Sequence, residues 1–220
     1  SENFYRIDKR PYGNEVTTAL ISGKYEKRKA TKKVIQNWLA AYGNSPKHRL
    51  HLSVHNGFLS EEQNNALIAD AFRGKNWWNV NRLPYTKTLT EWNQVLNSCD
   101  YVMDLSGGES WSIPSFSCVC LGKHALLHNV NGVKSWANAD SAVLIEPNGK
   151  EPMIDNMFFH HNSPFNAGNV FTWDEAEFKP KLDEVIARVQ IDRTNHAGLE
   201  LAKKYTWENT VSIILDTINK

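Results

Sequence analysis

The sequence has little of the composition that marks charged, membrane-spanning or disulfide-linked proteins. Its 25 Lys and Arg nearly balance its 24 Asp and Glu, and this net charge of +1 argues against a dedicated duplex-DNA binder and a disordered charged chain. No apolar run approaches the roughly 20 residues needed to cross a bilayer, and no signal-peptide pattern opens the chain. Cys99, Cys118 and Cys120 lack metal-type spacing, so we expect reduced, buried thiols in a cytoplasmic protein.

Two common kinds of catalytic or metal site are also missing from the sequence. No Gly-x-Ser-x-Gly arrangement is present, which argues against a serine hydrolase built on a nucleophile elbow. The pairs His124/His128 and His160/His161 have no carboxylate or cysteine partner at ligand spacing, so we predict no metal site. With 41% hydrophobic residues the chain can nevertheless bury a sizeable core.

Alternating strand and helix patterns predict an α/β fold. Apolar, β-branched segments predict strands, and residues at helical spacing follow most of them. Such alternation is typical of a Rossmann-like parallel sheet with helices on both faces. The predicted strands are residues 16–22, 50–54, 100–106, 123–128 and 142–145.

Helix-start signals support this reading. Ser60 with Gln63 and Thr88 with Glu91 have capping-box spacing, and Thr31 is a plausible N-cap of the first helix. We predict a single domain over residues 1–220, with a core at about 16–147. Residues 148–220 then form an ordered loop excursion and a C-terminal extension of two helices, the second opening near Thr206.

A basic loop follows the first predicted strand. Residues 23–29 read GKYEKRK and lie just before a helix. Loops at the carboxyl ends of parallel strands line the ligand crevice, where cations beside helix amides suit a diphosphate. A solvated charged loop is the alternative interpretation of this segment alone.

A second candidate loop follows the predicted strand at 100–106. It reads SGGESWSIP over residues 106–114, with two glycines that allow a tight turn and Pro114 at or near the first turn of a helix. Glu109 can accept hydrogen bonds from sugar hydroxyls. Alternatively, Glu109 complements the helix dipole within a capping turn.

Together the two loops resemble the C-terminal domain of the GT-B glycosyltransferases, especially glycosyltransferase family four. The family's phosphate motif, an Arg or Lys followed by four residues and a Lys, matches Lys24 and Lys29. Its second motif is Glu, seven residues, Glu, of which Glu109 matches the first and Ser117 replaces the second. The likeness covers roughly residues 16–147 and the C-terminal tail, where the family packs a Trp-bearing helix back on the fold.

The resemblance implies a role for each matching residue. Lys24 and Lys29 would clamp the donor diphosphate, Glu109 would contact the transferred sugar, and Ser117 would make a weaker ribose contact than a Glu makes. The catalytic candidates are therefore Glu109, Lys29 and Lys24. The substrate-binding candidates are Lys24, Arg28, Lys29, Gly108, Glu109, Ser110, Trp111, Ser112 and Ser117.

The resemblance also implies the reaction and its partners. The co-substrate would be a nucleoside diphosphate sugar, transferred with retention and without a metal or other cofactor, since no Asp-x-Asp motif is present. The acceptor, whether glycan, lipid, protein or DNA, would be bound by a second Rossmann-like domain in the same or another chain. Two alternatives remain at this stage: a non-catalytic GT-B-like binding or assembly module, and a viral or phage enzyme that glycosylates DNA or capsid.

Overall fold

The fold is built on a six-stranded parallel sheet. The computed structural model describes residues 4–8, 12–165 and 167–219. The strand order β3-β2-β1-β4-β5-β6 is that of a doubly wound Rossmann-like fold and confirms the predicted fold class. The strands are β1 (Thr17–Gly23), β2 (His48–Val54), β3 (Val80–Arg82), β4 (Tyr101–Asp104), β5 (His124–His128) and β6 (Val143–Ile145).

Helices cover both faces of this sheet because each central strand is apolar on both sides. In β1, Ala19 and Ile21 point into one core and Leu20 into the other. The first core packs under α1 (Thr31–Tyr42), α2 (Glu61–Ala71) and α5 (Glu175–Ile191). The second packs under α3 (Leu89–Asn97), α4 (Ile113–Cys120) and α6 (His196–Lys204).

Both predicted capping boxes are present in the structure. The hydroxyls of Ser60 and Thr88 accept hydrogen bonds from the third helical residue, whose side chain bonds back to the N-cap amide. The predicted Thr31 cap is wrong. Ala30, with φ of 51°, precedes α1, and the Thr31 hydroxyl instead donates to the Lys24 carbonyl at 3.2 Å.

The predicted loop excursion contains a β-hairpin. Its strands, β7 (Gly149–Pro152) and β8 (Asn169–Thr172), pair antiparallel outside the main sheet. The sequence GKEP of β7 is exposed and carries no β-branched residue, so its strand character comes from pairing with β8. Residues 153–168 connect the strands, and Asn166 lies outside the described residues.

The C-terminal part differs from the expectation in two ways. It holds three helices rather than two, because α6 precedes α7 (Trp207–Ile218). The expectation that the Trp-bearing helix packs back on the fold is wrong, since α7 has no buried residue and Trp207 is 82% exposed. None of the helices in the described part of the chain is both long and apolar enough to cross a membrane.

Candidate functional site

The basic loop and the Glu109 turn meet because β1 and β4 are neighbours in the sheet. Both loops leave the carboxyl ends of these strands. The Gly107 amide donates to the Arg28 carbonyl at 2.7 Å, and the Ser106 hydroxyl donates to the same oxygen at 3.1 Å. Two segments about 80 residues apart in sequence are thus joined through backbone atoms.

Ion pairs connect the side chains of the two loops. Glu109 Oε1 lies 2.6 Å from Lys29 Nζ and 2.6 Å from Arg28 Nη1. Arg28 also pairs with Glu26 at 2.5 Å, and Lys29 lies 3.5 Å from Asp104 Oδ2. Two cations therefore face three carboxylates, and neither cation is free in this structure.

Burial and neighbouring charge act in opposite directions on the two cations. Desolvation lowers the pKa of Lys29, but the carboxylates of Asp104 and Glu109 outweigh it and the net shift is upward. The pKa of Arg28 is likewise raised by Glu109 and Glu26 against the effect of burial. Both side chains stay cationic at neutral pH, as binding of an anion requires.

The start of α4 lies beside this cluster without a side-chain cap. Ser112 precedes the helix with φ of 56°, and its hydroxyl donates to Asp104 and accepts no hydrogen bond from a helix amide. Among the described residues, none accepts a hydrogen bond from the amides of Ser110, Trp111 or Ser112. Unpaired amides just ahead of a helix are the groups to which anions bind at helix N-termini.

Two cavities flank this helix start. One, of about 450 Å³, is lined by Arg28, Gly108, Glu109 and Ser110 together with residues of the hairpin. The other, of about 290 Å³, is lined by Lys24, Pro114 and the ends of β1, β2 and β3.

Lys29 lines neither cavity, but its side chain lies next to a lining residue of each. A Cβ on Gly23, which lines the smaller cavity, would lie 3.5 Å from Lys29 Cε, while Lys29 Nζ contacts Glu109 in the larger one. A third cavity, of about 790 Å³, runs along α1 and includes neither Lys29 nor Glu109.

The structure brings together only part of the predicted site. Lys24 lines the smaller cavity with its Nζ 4.8 Å from the centre of the Phe58 ring, so it does not share a cavity with Glu109. Trp111 packs edge-on against Phe116. Ser117, half-buried in α4, lines none of these three cavities.

Several residues at the site are not among the sequence-predicted candidates. Glu26 lies within the basic loop, and Asp104 ends an otherwise apolar strand at the ligand edge, a position that could have drawn attention to it. Asn131, Phe159 and Asn169 line the larger cavity. Asn131 and Asn169 gave no such signal in the sequence, because they reach the site from other loops.

His124 and His128 hydrogen-bond to backbone carbonyls, whereas His160 and His161 are exposed. His124 Nε2 bonds to the Asp192 carbonyl at 2.7 Å, and His128 Nδ1 bonds to the Ser106 carbonyl at 2.9 Å. Across the described residues there is no group of three His, Cys, Asp or Glu side chains that could hold a metal ion. All three cysteines are free thiols, and Cys99 and Cys118 are buried.

Neither a family model nor a curated protein sequence matches this chain. Solved structures do match. The C-terminal domain of a group 1 glycosyltransferase, LpcC of Francisella tularensis, aligns with a TM-score of 0.66 at 13% identity, over 92% of this chain and 95% of that domain. Sucrose-phosphate synthase of Thermosynechococcus elongatus aligns with a TM-score of 0.64 at 14% identity, over 99% of this chain and 49% of that one.

A third structure, Anabaena HepE in complex with UDP and glucose, aligns with a TM-score of 0.64 at 12% identity, over 94% of this chain and 49% of that protein. This chain therefore spans about half the length of the synthase and of HepE. Identities this low establish the fold alone. The structural alignments confirm the expected fold of a GT-B-type half-domain. Membership of family four stays a prediction.

Proposed function

We propose that this chain is the donor-binding half of a glycosyltransferase and that it binds a nucleoside diphosphate sugar. The observation that carries the proposal is the contact of Lys29 with Glu109 beside the uncapped start of α4, between two cavities. A cation, open helix amides and a hydrogen-bond acceptor are the groups that a diphosphate linked to a sugar requires. Structural similarity to proteins named as glycosyltransferases supports the same assignment.

The two cavities suggest how such a ligand lies. The smaller cavity offers Tyr85 and Trp92 as aromatic surfaces for the nucleoside, with Lys24 at its wall. The diphosphate then crosses the start of α4, near Lys29 and the amides of residues 110–112. The sugar enters the larger cavity and meets Glu109.

Ion-pair exchange is the central step of this binding mode. In the free protein the Glu109 carboxylate forms ion pairs with both Lys29 and Arg28. Diphosphate oxygens replace the carboxylate at Lys29, and the released Glu109 accepts hydrogen bonds from sugar hydroxyls. Only a ligand that carries both a diphosphate and a sugar gives a new partner to Lys29 and to Glu109 after their ion pair is broken.

We further propose, as the resemblance to the GT-B enzymes implies, that the sugar passes to the acceptor with retention and without a metal. As the bond between the sugar and the diphosphate breaks, negative charge develops on the leaving oxygen. Lys29 and the amides at the start of α4 stabilise this charge electrostatically. The backbone bond from Gly107 to Arg28 holds the two loops together, so once the donor has displaced Glu109 from Lys29 little further reorganisation is needed.

Completion of the enzyme requires a second α/β domain that binds the acceptor and excludes water from the cleft. The synthase and HepE, each about twice the length of this chain, support this partner. The exposed apolar side chains of α7 offer a surface for it, because an uncovered apolar face of this size is unfavourable in water. They are Trp207, Val211, Ile213, Ile214, Leu215 and Ile218.

One observation favours a second candidate, a non-catalytic module of the same fold. Three carboxylates surround Arg28 and Lys29, and Ser117 stands where the resemblance calls for a Glu. A site neutralised in this way has less affinity for a diphosphate than a free cation pair has. In this alternative the ion pairs hold the loops together and no donor binds.

Calorimetry with UDP, GDP and their monophosphates separates the two candidates. We expect one diphosphate to bind more tightly than its monophosphate, with no effect of added EDTA. Lys29→Ala should weaken the diphosphate at least about tenfold, because a charge-assisted contact is lost. Lys75→Ala, at an exposed position without an ion pair among the described residues, is the matched control. Absence of binding by any nucleotide would support the non-catalytic module.

A further inference from the structure

The β7–β8 hairpin is tied to the candidate site on both sides. The Phe171 amide of β8 donates to the Gly107 carbonyl at 2.8 Å, and Lys27 Nζ donates to the Pro152 carbonyl of β7 at 3.2 Å. A Cβ at Gly107 would lie 2.5 Å from the Phe171 carbonyl oxygen, so only glycine permits this approach. The hairpin is thus held against both the Glu109 turn and the basic loop.

This attachment makes the hairpin and its connecting loop one wall of the Glu109 cavity. The opposite side comes from the two site loops and from residues 131 and 132. Five residues of the cavity lining belong to the hairpin and its loop: Met153, Phe159, Gly168, Asn169 and Val170.

Phe159 is the aromatic member of this wall. Its amide donates to Asp155 Oδ1 at 2.9 Å, and its carbonyl accepts from the amides of Asp155 and Asn156 at 3.1 Å each. The backbone of Phe159 is therefore fully engaged inside the loop. Its half-buried side chain is the part left to contact a ligand.

The charges that line the cavity indicate the kind of group it accepts. Arg28 and Glu109 are its two charged residues, and they pair with each other at 2.6 Å. Asn131 and Asn169 add amide groups that have no hydrogen-bond partner among the described residues. An aromatic wall, free amides and no spare cation suit a neutral ring with hydroxyl groups.

We propose that the hairpin wall determines donor specificity, with Phe159 packing on the ring of a neutral hexosyl group and Asn169 bonding its hydroxyls. This inference rests on the proposed donor-binding function and deepens it. It predicts that Phe159 contributes to binding of the nucleotide sugar and contributes nothing to binding of the nucleotide alone.

The test is calorimetry on Phe159→Ala beside Phe165→Ala. Phe165 belongs to the same loop, is 77% exposed and does not line the cavity, so it is a matched control. Ligands are UDP, UDP-glucose and UDP-glucuronate, or the GDP, GDP-mannose and GDP-mannuronate set if GDP binds. Phe159→Ala should weaken the neutral nucleotide sugar about five- to tenfold and change the diphosphate less than twofold.

Two further comparisons complete the test. Asn169→Ala should weaken the neutral nucleotide sugar about threefold, and the uronate should bind the unaltered protein at least about tenfold more weakly than the hexose. If Phe159→Ala lowers the melting temperature, Phe159→Leu, which keeps an apolar side chain, replaces it in the test. This variant should also lose affinity for the nucleotide sugar and not for the diphosphate, but to a smaller extent.

Each contrary result has a distinct meaning. If Phe159→Ala and Phe165→Ala bind the nucleotide sugar with equal affinity, the proposed role of the hairpin wall is wrong. The proposed function still stands in that case, provided that the diphosphate binds. If the nucleotide hexose and the nucleotide uronate bind equally well, the inference that the cavity accepts a neutral sugar is wrong. Absence of any nucleotide binding overturns the proposed function and this inference with it.

Discussion

The helices that follow β1 to β4 begin in two different ways. α2 and α3 start with complete capping boxes, in which Ser60 and Thr88 bond to their own helices. α1 and α4 start after the left-handed residues Ala30 and Ser112 and have no side-chain cap. The capped helices follow β2 and β3, whereas the uncapped ones follow the two strands whose loops carry Lys29 and Glu109.

The difference has a physical cause at each uncapped helix. Ala30 has no side-chain acceptor, and Ser112 commits its hydroxyl to Asp104. An uncapped helix start costs about 1 kcal/mol relative to a capped one and leaves amides available to an anion. Stability is thus lower at these two helix starts, and at α4 the proposed diphosphate would act as the cap.

The largest expected effect comes from Gly132→Ala, which disturbs the approach to α4. A Cβ at Gly132 would lie 1.5 Å from the Ser110 carbonyl oxygen, whereas a Cβ at Gly57, ahead of capped α2, meets nothing within 4 Å. Gly132→Ala should lower the free energy of unfolding by about 3 kcal/mol and abolish diphosphate binding, because the backbone at Ser110 must move. Gly57→Ala should change stability by less than about 0.5 kcal/mol.

Urea denaturation and calorimetry on both variants measure this contrast. If Gly132→Ala were as stable as Gly57→Ala and still bound the diphosphate, the close packing at the start of α4 would be unimportant for the site.

Ser117→Glu sharpens the comparison by adding the carboxylate that α4 lacks. Ser117 follows Pro114 by three residues, on the same side of the helix, and Pro114 lines the smaller cavity. A Glu there should gain about 2 kcal/mol of diphosphate affinity through a charge-assisted bond to the ribose. Ser117→Ala should change affinity by less than about 1 kcal/mol. Calorimetry with a ribo- and a 2′-deoxyribonucleotide checks the cause, since the gain should shrink without the 2′-hydroxyl.

Glu109→Gln separates the two roles of the cation cluster. Loss of the carboxylate frees Lys29 and Arg28 from their shared partner, so diphosphate affinity should rise a few-fold. The extra affinity contributed by the sugar should fall by about 1.5 kcal/mol, because a neutral amide accepts weaker hydrogen bonds. Titration of the diphosphate and its nucleotide sugar measures both. Equal losses for the two ligands would mean that Glu109 shapes the turn and does not contact sugar.

Much of the fold could be predicted from the sequence because its signals are local. Strands such as β5, with the sequence HALLH, are buried on both faces, and the capping boxes depend on residues three apart. β3 and β7 were missed because their residues are largely polar, and α6 was missed because it is only nine residues long and carries a glycine near its start. Their structure depends on neighbours that lie far away in the sequence.

The candidate site could be predicted only where loop position determines contact. Arg28, Lys29 and Glu109 follow adjacent strands, and the structure joins them. The direction of Lys24 could not be predicted, because it depends on the Phe58 ring beneath its ammonium group. The hairpin wall could not be predicted either, because its residues reach the site through a bond from β8 to the Glu109 turn.

The smallest expected effect belongs to the capped helices, and Ser60→Ala tests it. The Ser60 hydroxyl accepts from the Gln63 amide at 3.1 Å, so its removal should lower the free energy of unfolding by about 1 kcal/mol. Diphosphate affinity should stay within twofold, because α2 already satisfies its own first turn and contributes no amide to the proposed site. Thr88→Ala in α3 should have the same effects on stability and on affinity, so each variant serves as a control for the other. Urea denaturation gives the stability and calorimetry gives the affinity. A loss of affinity in either variant as large as that of Lys29→Ala would show that capped and uncapped helix starts do not differ in function, and the ligand would then have to lie elsewhere along the sheet edge.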